Sequence, residues 1–224
     1  MALTRLVFDI ETAPIDGAEE YIEPVSAPSN YKDPEKIAAY VAEKQGEVVS
    51  RCSLDPDLCR VVAIGYWAED GAPCALTIRD YIGAEGNEHD AEVELLEDFW
   101  IVANGKQLVG FNCLAFDLPV LMRRSLYLGV SYPAIQIDKY RHSQVDDLQM
   151  FLSFNGAFKM HGLSFYAKRF GFEVEDGITG AEIGQAVIDG RWDDIKRHVE
   201  ADVQKTALVA AKCGYFNRVT AGAF

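Results

Sequence analysis

The sequence predicts an α/β fold: one mixed five-stranded sheet flanked by helices. Two patterns carry that reading. Strand runs come early (residues 4–10 and 60–67) and are followed by an alternation of short strands with helical segments. The chain then closes on its longest helix, Trp192 to Cys213.

Residues 4–10 read as a buried strand, and residues 12–32, with Pro14, Pro24, Pro28, Ser26, Ser29 and Asn30, as irregular loop. Asp33 fits an N-cap and Pro34 a first helical position, so a short helix is expected over 34–45. Arg60 to Trp67 is a strong strand run, and residues 74–79 suit the next strand after the Gly71-Ala72-Pro73 turn. Val93, Leu96, Phe99, Trp100 and Ala103 recur at helical spacing over 90–103. Gln107–Gly110 reads as a short strand and Leu118–Tyr127 as a helix. A small strand is expected at Ile135–Ile137, with helical turns at Asp147–Phe151 and Leu163–Phe170. No linker divides the chain. Residues 1–224 are expected to form one domain, with an insertion at about 12–59 between the first two strands.

Composition narrows the class. The hydrophobic fraction of 49% and charged fraction of 25% are ordinary for a globular protein. No stretch approaches the roughly 20 apolar residues of a membrane span. Asp9 and Glu11 come too early for a secretory signal. Five cysteines (52, 59, 74, 113, 213) form no CxxC pair, so a reduced, cytoplasmic protein is expected. The net charge of −14, from 35 acidic and 21 basic residues, argues against a protein that coats nucleic acid with a broad basic surface. Two divalent cations would bring −14 only to −10.

Four carboxylates stand out because each lies in an apolar setting where charge is costly unless a cation meets it. Asp9 and Glu11 sit two apart in Leu6-Val7-Phe8-Asp9-Ile10-Glu11-Thr12, so on a strand they project to one side. Two such carboxylates repel unless they share a proton or hold a metal ion. Asp117 follows Gly110-Phe111-Asn112 at the start of a helix that carries Pro119 in its first turn. As an isolated residue it would simply cap that helix; the Gly-Phe-Asn approach is what capping leaves unexplained. His198 and Asp202 lie one helical turn apart, flanked by Ile195, Val199, Val203 and Leu208.

Together, Asp9-Ile10-Glu11, Asn112-x-x-x-Phe116-Asp117-x-Pro119 and Asp202-Val203-x-x-Thr206 resemble the motifs of the DEDD exonuclease superfamily. The nearest likeness is to stand-alone proteins similar to the proofreading domain of family B DNA polymerases. The resemblance implies a ribonuclease-H-like fold and two divalent cations, Mg²⁺ or Mn²⁺, held by Asp9, Glu11, Asp117 and Asp202. It also implies 3′-5′ hydrolysis of single-stranded or frayed DNA ends to nucleoside 5′-monophosphates. Thr12, Asn112 and Phe116 are the expected contacts to the terminal nucleotide, and Lys139, Arg141, Lys159, Lys168 and Arg169 are candidate phosphate contacts. With few positive charges, a short footprint and shallow salt dependence are expected. One departure is that His198 stands where one branch of the superfamily has tyrosine, four residues before the last aspartate. A histidine, with an ordinary pKa of ~6.5, takes a proton from water at neutral pH more readily than a phenol of pKa ~10. His198 is therefore the candidate general base. An exoribonuclease and a catalytically weak binding or scaffold module remain open as alternatives. The residues specify no replication or repair partner.

Overall fold

Arg5–Pro14 forms the central strand, β1, of a five-stranded sheet. The computed structural model describes residues 4–68, 73–82, 87–137 and 143–216. β2 (Cys59–Ala68) lies antiparallel to β1, and β3 (Cys74–Thr77) antiparallel to β2. On the other flank β4 (Gln107–Gly110) runs parallel to β1, and β5 (Val145–Asp147) parallel to β4. Parallel neighbours need crossover segments; α2 (Glu88–Ala103) precedes β4, and α3 (Asp117–Leu128) links β4 to β5. The strand order β3-β2-β1-β4-β5 is the mixed sheet that the sequence predicts.

Alternation along β1 decides where the acids go. Leu6, Phe8 and Ile10 enter the larger core with Leu96 and Phe99 of α2 and Leu121 of α3. Val7 packs instead with Trp67, Val109 and the Val203 and Ala207 side chains of the last helix, Trp192–Lys212. Asp9 and Glu11 share the Val7 side and so face that last helix. Gly65 of β2 allows the close approach. A Cβ there would lie 2.8 Å from Val203 Cγ2 and 2.9 Å from Val199 Cγ2.

The remaining helices are α1 (Pro34–Arg51), α4 (Leu148–Leu152), α5 (Leu163–Arg169) and α6 (Ile183–Ile188), which makes the last helix α7. Asp33 caps α1, its side chain accepting from Glu35 N at 3.0 Å, with Pro34 at the first position as expected. α1 runs six residues past the expected end at 45 and buries no side chain. Residues 15–58 separate β1 from β2, close to the expected insertion.

Two expectations need correction. Residues 135–137 form no strand; the fifth strand is Val145–Asp147. The Asp147–Phe151 helical turn begins one residue later, because Asp147 ends β5 and caps α4 with its side chain. A three-residue strand of sequence Val-Asp-Asp has no apolar alternation to announce it; pairing with β4 makes it a strand. All five cysteines are free thiols. No helix among the described residues is long and apolar enough to cross a membrane.

Candidate active site

The loop after β4 sets Asp117. Gly110 turns so tightly that a Cβ would meet Cys113 Cβ at 2.6 Å. Asn112 adopts the left-handed conformation at φ 61°, which asparagine tolerates better than most residues. Asp147, 4% exposed, organises this turn by accepting from Asn112 N and Leu114 N, both at 3.0 Å, and from Gln149 N and Met150 N in α4. α3 can then begin at Asp117. Ile10 N donates to Asp117 Oδ1 at 3.3 Å, placing that carboxylate against β1 between Asp9 and Glu11.

α7 supplies the other wall. His198 Nε2 faces Glu11 Oε1 at 3.4 Å, and its Nδ1 lies 2.6 Å from Asp176 Oδ1. Lys205 Nζ donates to Asp176 Oδ2 at 2.5 Å and to Asp202 Oδ1 at 2.7 Å. Asp176 and Lys205 are the residues that sequence reasoning missed. Lys205 had a signal, since residues 198, 202 and 205 share one helical face. Asp176 had none, being one acid of three in Glu173-Val174-Glu175-Asp176-Gly177.

The electrostatics are lopsided. Burial, then repulsion from Asp117, Asp202 and Glu11, pushes the Asp9 carboxyl well above its ordinary range. Glu11 is pushed up by burial and by Asp202, Asp117 and Asp176. Burial raises Asp117 to about 7, against hydrogen bonds from its own N–H and Ile10 N, with Asp147 and Asp202 adding repulsion. Asp176 goes the other way. Burial opposes its charge, but the hydrogen bonds from His198 and Lys205 hold it below the usual carboxylate range. Lys205 is likewise pushed up, because Asp176 and Asp202 outweigh its burial.

These residues line a pocket of about 450 Å³. Five carboxylates (Asp9, Glu11, Asp117, Asp176 and Asp202) there face one lysine and one histidine. An acid cluster that is buried at Glu11 and Asp117, with so little cationic relief and hard oxygen donors, suits a divalent ion such as Mg²⁺ or Mn²⁺. Ligand atoms of Asp176, His198 and Asp202 also lie within 4.8 Å of one another, so α7 and Asp176 could share a cation. A larger hollow of about 820 Å³ lies behind Asp176, against Glu175, Arg197 and Glu200. It gathers no comparable set of buried carboxylates, so chemistry rather than size identifies the site.

Asn112 and Phe116 line the pocket with the acids. Thr12 does not join them. It is 7% exposed and donates its hydroxyl to Ser53 O at 2.6 Å. Its expected contact with a nucleotide gains no support from that placement. Lys159, Lys168 and Arg169 are exposed, while Lys139 and Arg141 lie outside the described residues.

A family model described as a predicted 3′-5′ exonuclease related to the exonuclease domain of PolB matches residues 53–221. The match includes Asp117, Asp176, His198 and Asp202 but begins after β1, so it is the fold that brings Asp9 and Glu11 to the matched residues. None of the curated proteins matches. Among solved structures, the chain is similar to the family B DNA polymerase from the hyperthermophilic archaeon Pyrobaculum calidifontis, with a TM-score of 0.59 and 21% identity. The likeness covers 95% of this chain and 24% of the polymerase, so the chain spans about a quarter of that protein's length. What it shows is the shared ribonuclease-H-like fold.

Proposed function

The chain belongs to the family of predicted 3′-5′ exonucleases related to the exonuclease domain of PolB, and we propose that it hydrolyses single-stranded or frayed DNA from the 3′ end, releasing nucleoside 5′-monophosphates. One observation carries the reading: half-buried Asp9 and buried Glu11 and Asp117 line one pocket together with Asp202. The choice of DNA rests on the family's relation to PolB.

Asp9, Glu11, Asp117 and Asp202 would hold two divalent cations, Mg²⁺ or Mn²⁺. When bound, such ions lower the pKa of water and shield charge on a phosphoryl group. The other residues prepare the proton transfer. A carboxylate only accepts, so the Asp176 contact fixes the hydrogen of His198 on Nδ1 and leaves the Nε2 lone pair turned toward Glu11. His198 then takes the proton of the attacking water at Nε2, with Asp176 as its positioning residue. Lys205 keeps Asp176 ionised and fixes the direction of both Asp176 and Asp202 through charge-assisted hydrogen bonds. Asn112 and Phe116 flank the space left for the terminal nucleotide.

Single-turnover digestion of 5′-labelled single-stranded DNA and RNA, with Mn²⁺ and with EDTA, tests the reading. Stepwise shortening of DNA from its 3′ end, only with metal, is the expected result. Degradation of RNA alone would make the protein an exoribonuclease. Failure to shorten either strand under any metal would leave a binding or scaffold module.

A further inference from the structure

From the end of α4 into the first turn of α5 the chain displays large rings that packing does not explain. Phe154, Phe158 and Phe165 are 70%, 66% and 43% exposed. Phe154, Asn155 and Gly156 are successive left-handed residues, with φ 53°, 56° and 79°. A bulky residue in that region is strained, and Phe154 is too exposed for burial to offset it. The loop is nevertheless firmly built. Ser153 is fully buried, Gly156 N donates to its Oγ at 3.1 Å, Asn155 N to Met150 O at 2.7 Å, and Phe158 N to Ser153 O at 3.0 Å.

The rings fall into two contact groups. Phe154 and Phe158 meet edge to face at 5.6 Å. The His161 ring lies flat on Phe165 at 3.9 Å and 11°. Phe165 meets Tyr166 at 5.3 Å, and Tyr166 meets Phe111 at 6.1 Å. Phe111 lines the catalytic pocket, as does Gln149, whose Nε2 donates to His161 O at 3.3 Å. Aromatic rings therefore run from the pocket through Phe111, Tyr166 and Phe165 to His161, and Phe154 and Phe158 form a second exposed pair earlier in the chain.

Charge identifies the occupant. The chain has 35 acidic residues, yet residues 148–172 contain no Asp or Glu and carry Lys159, Lys168 and Arg169. Exposed flat rings interspersed with cations, continuous with a site for phosphodiesters, match an unpaired nucleic-acid strand, whose bases offer faces that a duplex hides. We propose that residues 151–169 form a stacking track for the single strand behind its 3′ end. Bases lie on Phe165, His161, Phe158 and Phe154, and the three cations meet its phosphates. The track rests on the nuclease reading for the direction of the strand.

The test is anisotropy of fluorescein-labelled dT12 on the full chain in EDTA, comparing wild type with the double variants Phe154→Gly/Phe158→Ser and His161→Ala/Phe165→Ala. Each is expected to weaken binding about tenfold or more, with circular dichroism showing the fold retained. The first also removes the strained ring, so it is not expected to unfold the loop. Wild-type affinity in both variants, or no binding of dT12 by wild type, overturns the track. So does a wild-type dimer that Phe154→Gly/Phe158→Ser renders monomeric with dT12 affinity intact, since the rings would then join two copies. Binding lost in the variants while wild type fails to cleave dT12 with Mn²⁺ upholds the track and sinks the nuclease reading alone.

Discussion

Glu92 and Arg124 are buried between α2 and α3 as a forked pair at 2.8 and 2.7 Å, while buried Glu11 and Asp117 and half-buried Asp9 meet no Lys or Arg in an ion pair among the described residues. Glu92 also accepts from Val61 N at 2.8 Å, so its charge is fully matched and ties α2, α3 and β2 together. The guanidinium of Arg124 is pushed up: burial works against it, and the Glu92 hydrogen bonds and charge outweigh the burial. The three acids on the α7 side are also pushed up, but toward the neutral form, because nothing sufficient answers them. Lys205 satisfies Asp176 and Asp202 and leaves the β1 side open. A buried pair that closes its own charge is structural; a cluster that leaves charge open is where the proposed cation would sit.

The sharpest way to break the comparison is to empty both clusters. Asp9→Ala with Glu11→Ala is expected to lower single-turnover hydrolysis on the order of 10³-fold or more, while the melting temperature in EDTA holds or rises. Retained turnover would remove both residues from the mechanism. Arg124→Met should do the reverse, costing about 3–5 kcal/mol of stability in urea titration because Glu92 is left buried and alone, with turnover per folded molecule unchanged. A loss under about 1 kcal/mol would show that the pair is not closed.

Acidity sharpens the contrast further. Unfolded carboxyls titrate at ~4, whereas Asp117 is raised to about 7 and Asp9 and Glu11 are raised as well. Raised acids stabilise the fold fully below the unfolded pKa and lose that contribution as pH climbs through the folded one. In EDTA, stability should therefore fall between about pH 4.5 and 7.5, on the order of a few kcal/mol. Mn²⁺ should offset the fall increasingly with pH, and Asp117→Asn should flatten it. A flat wild-type profile in EDTA would mean these acids are not strained. The smallest effect concerns the proton acceptor. His198→Tyr should keep part of the activity and move its pH optimum upward, and an unchanged profile would remove His198 as base.

How much of this could be read in the residues differs between the two clusters. Asp9 and Glu11 were legible because strand alternation sets direction over two residues, and His198 and Asp202 because a helical turn does the same. Asp176 was not, since its place depends on a loop without periodic pattern brought back onto α7. Asp147 was expected only as the first residue of a helical turn, yet its carboxylate accepts four backbone hydrogens, two in the Asn112 turn and two in α4. β5 was misplaced for a related reason: three residues hold too little pattern, and their partner β4 defines them. Thr12 was expected at the terminal nucleotide through the family resemblance; in the structure its hydroxyl donates to Ser53 O. Glu92–Arg124 is invisible until α2 and α3 are packed.

Manganese anomalous scattering from a crystal of the full chain soaked at about pH 8 would speak to the open cluster most directly. Density among the carboxylates of Asp9, Glu11 and Asp117, extending to Asp202, is the expected result, with none at Glu92. Crystals showing no manganese at those acids, with Asp9 and Glu11 still in place, would contradict the proposed cation site and the hydrolysis proposed to depend on it.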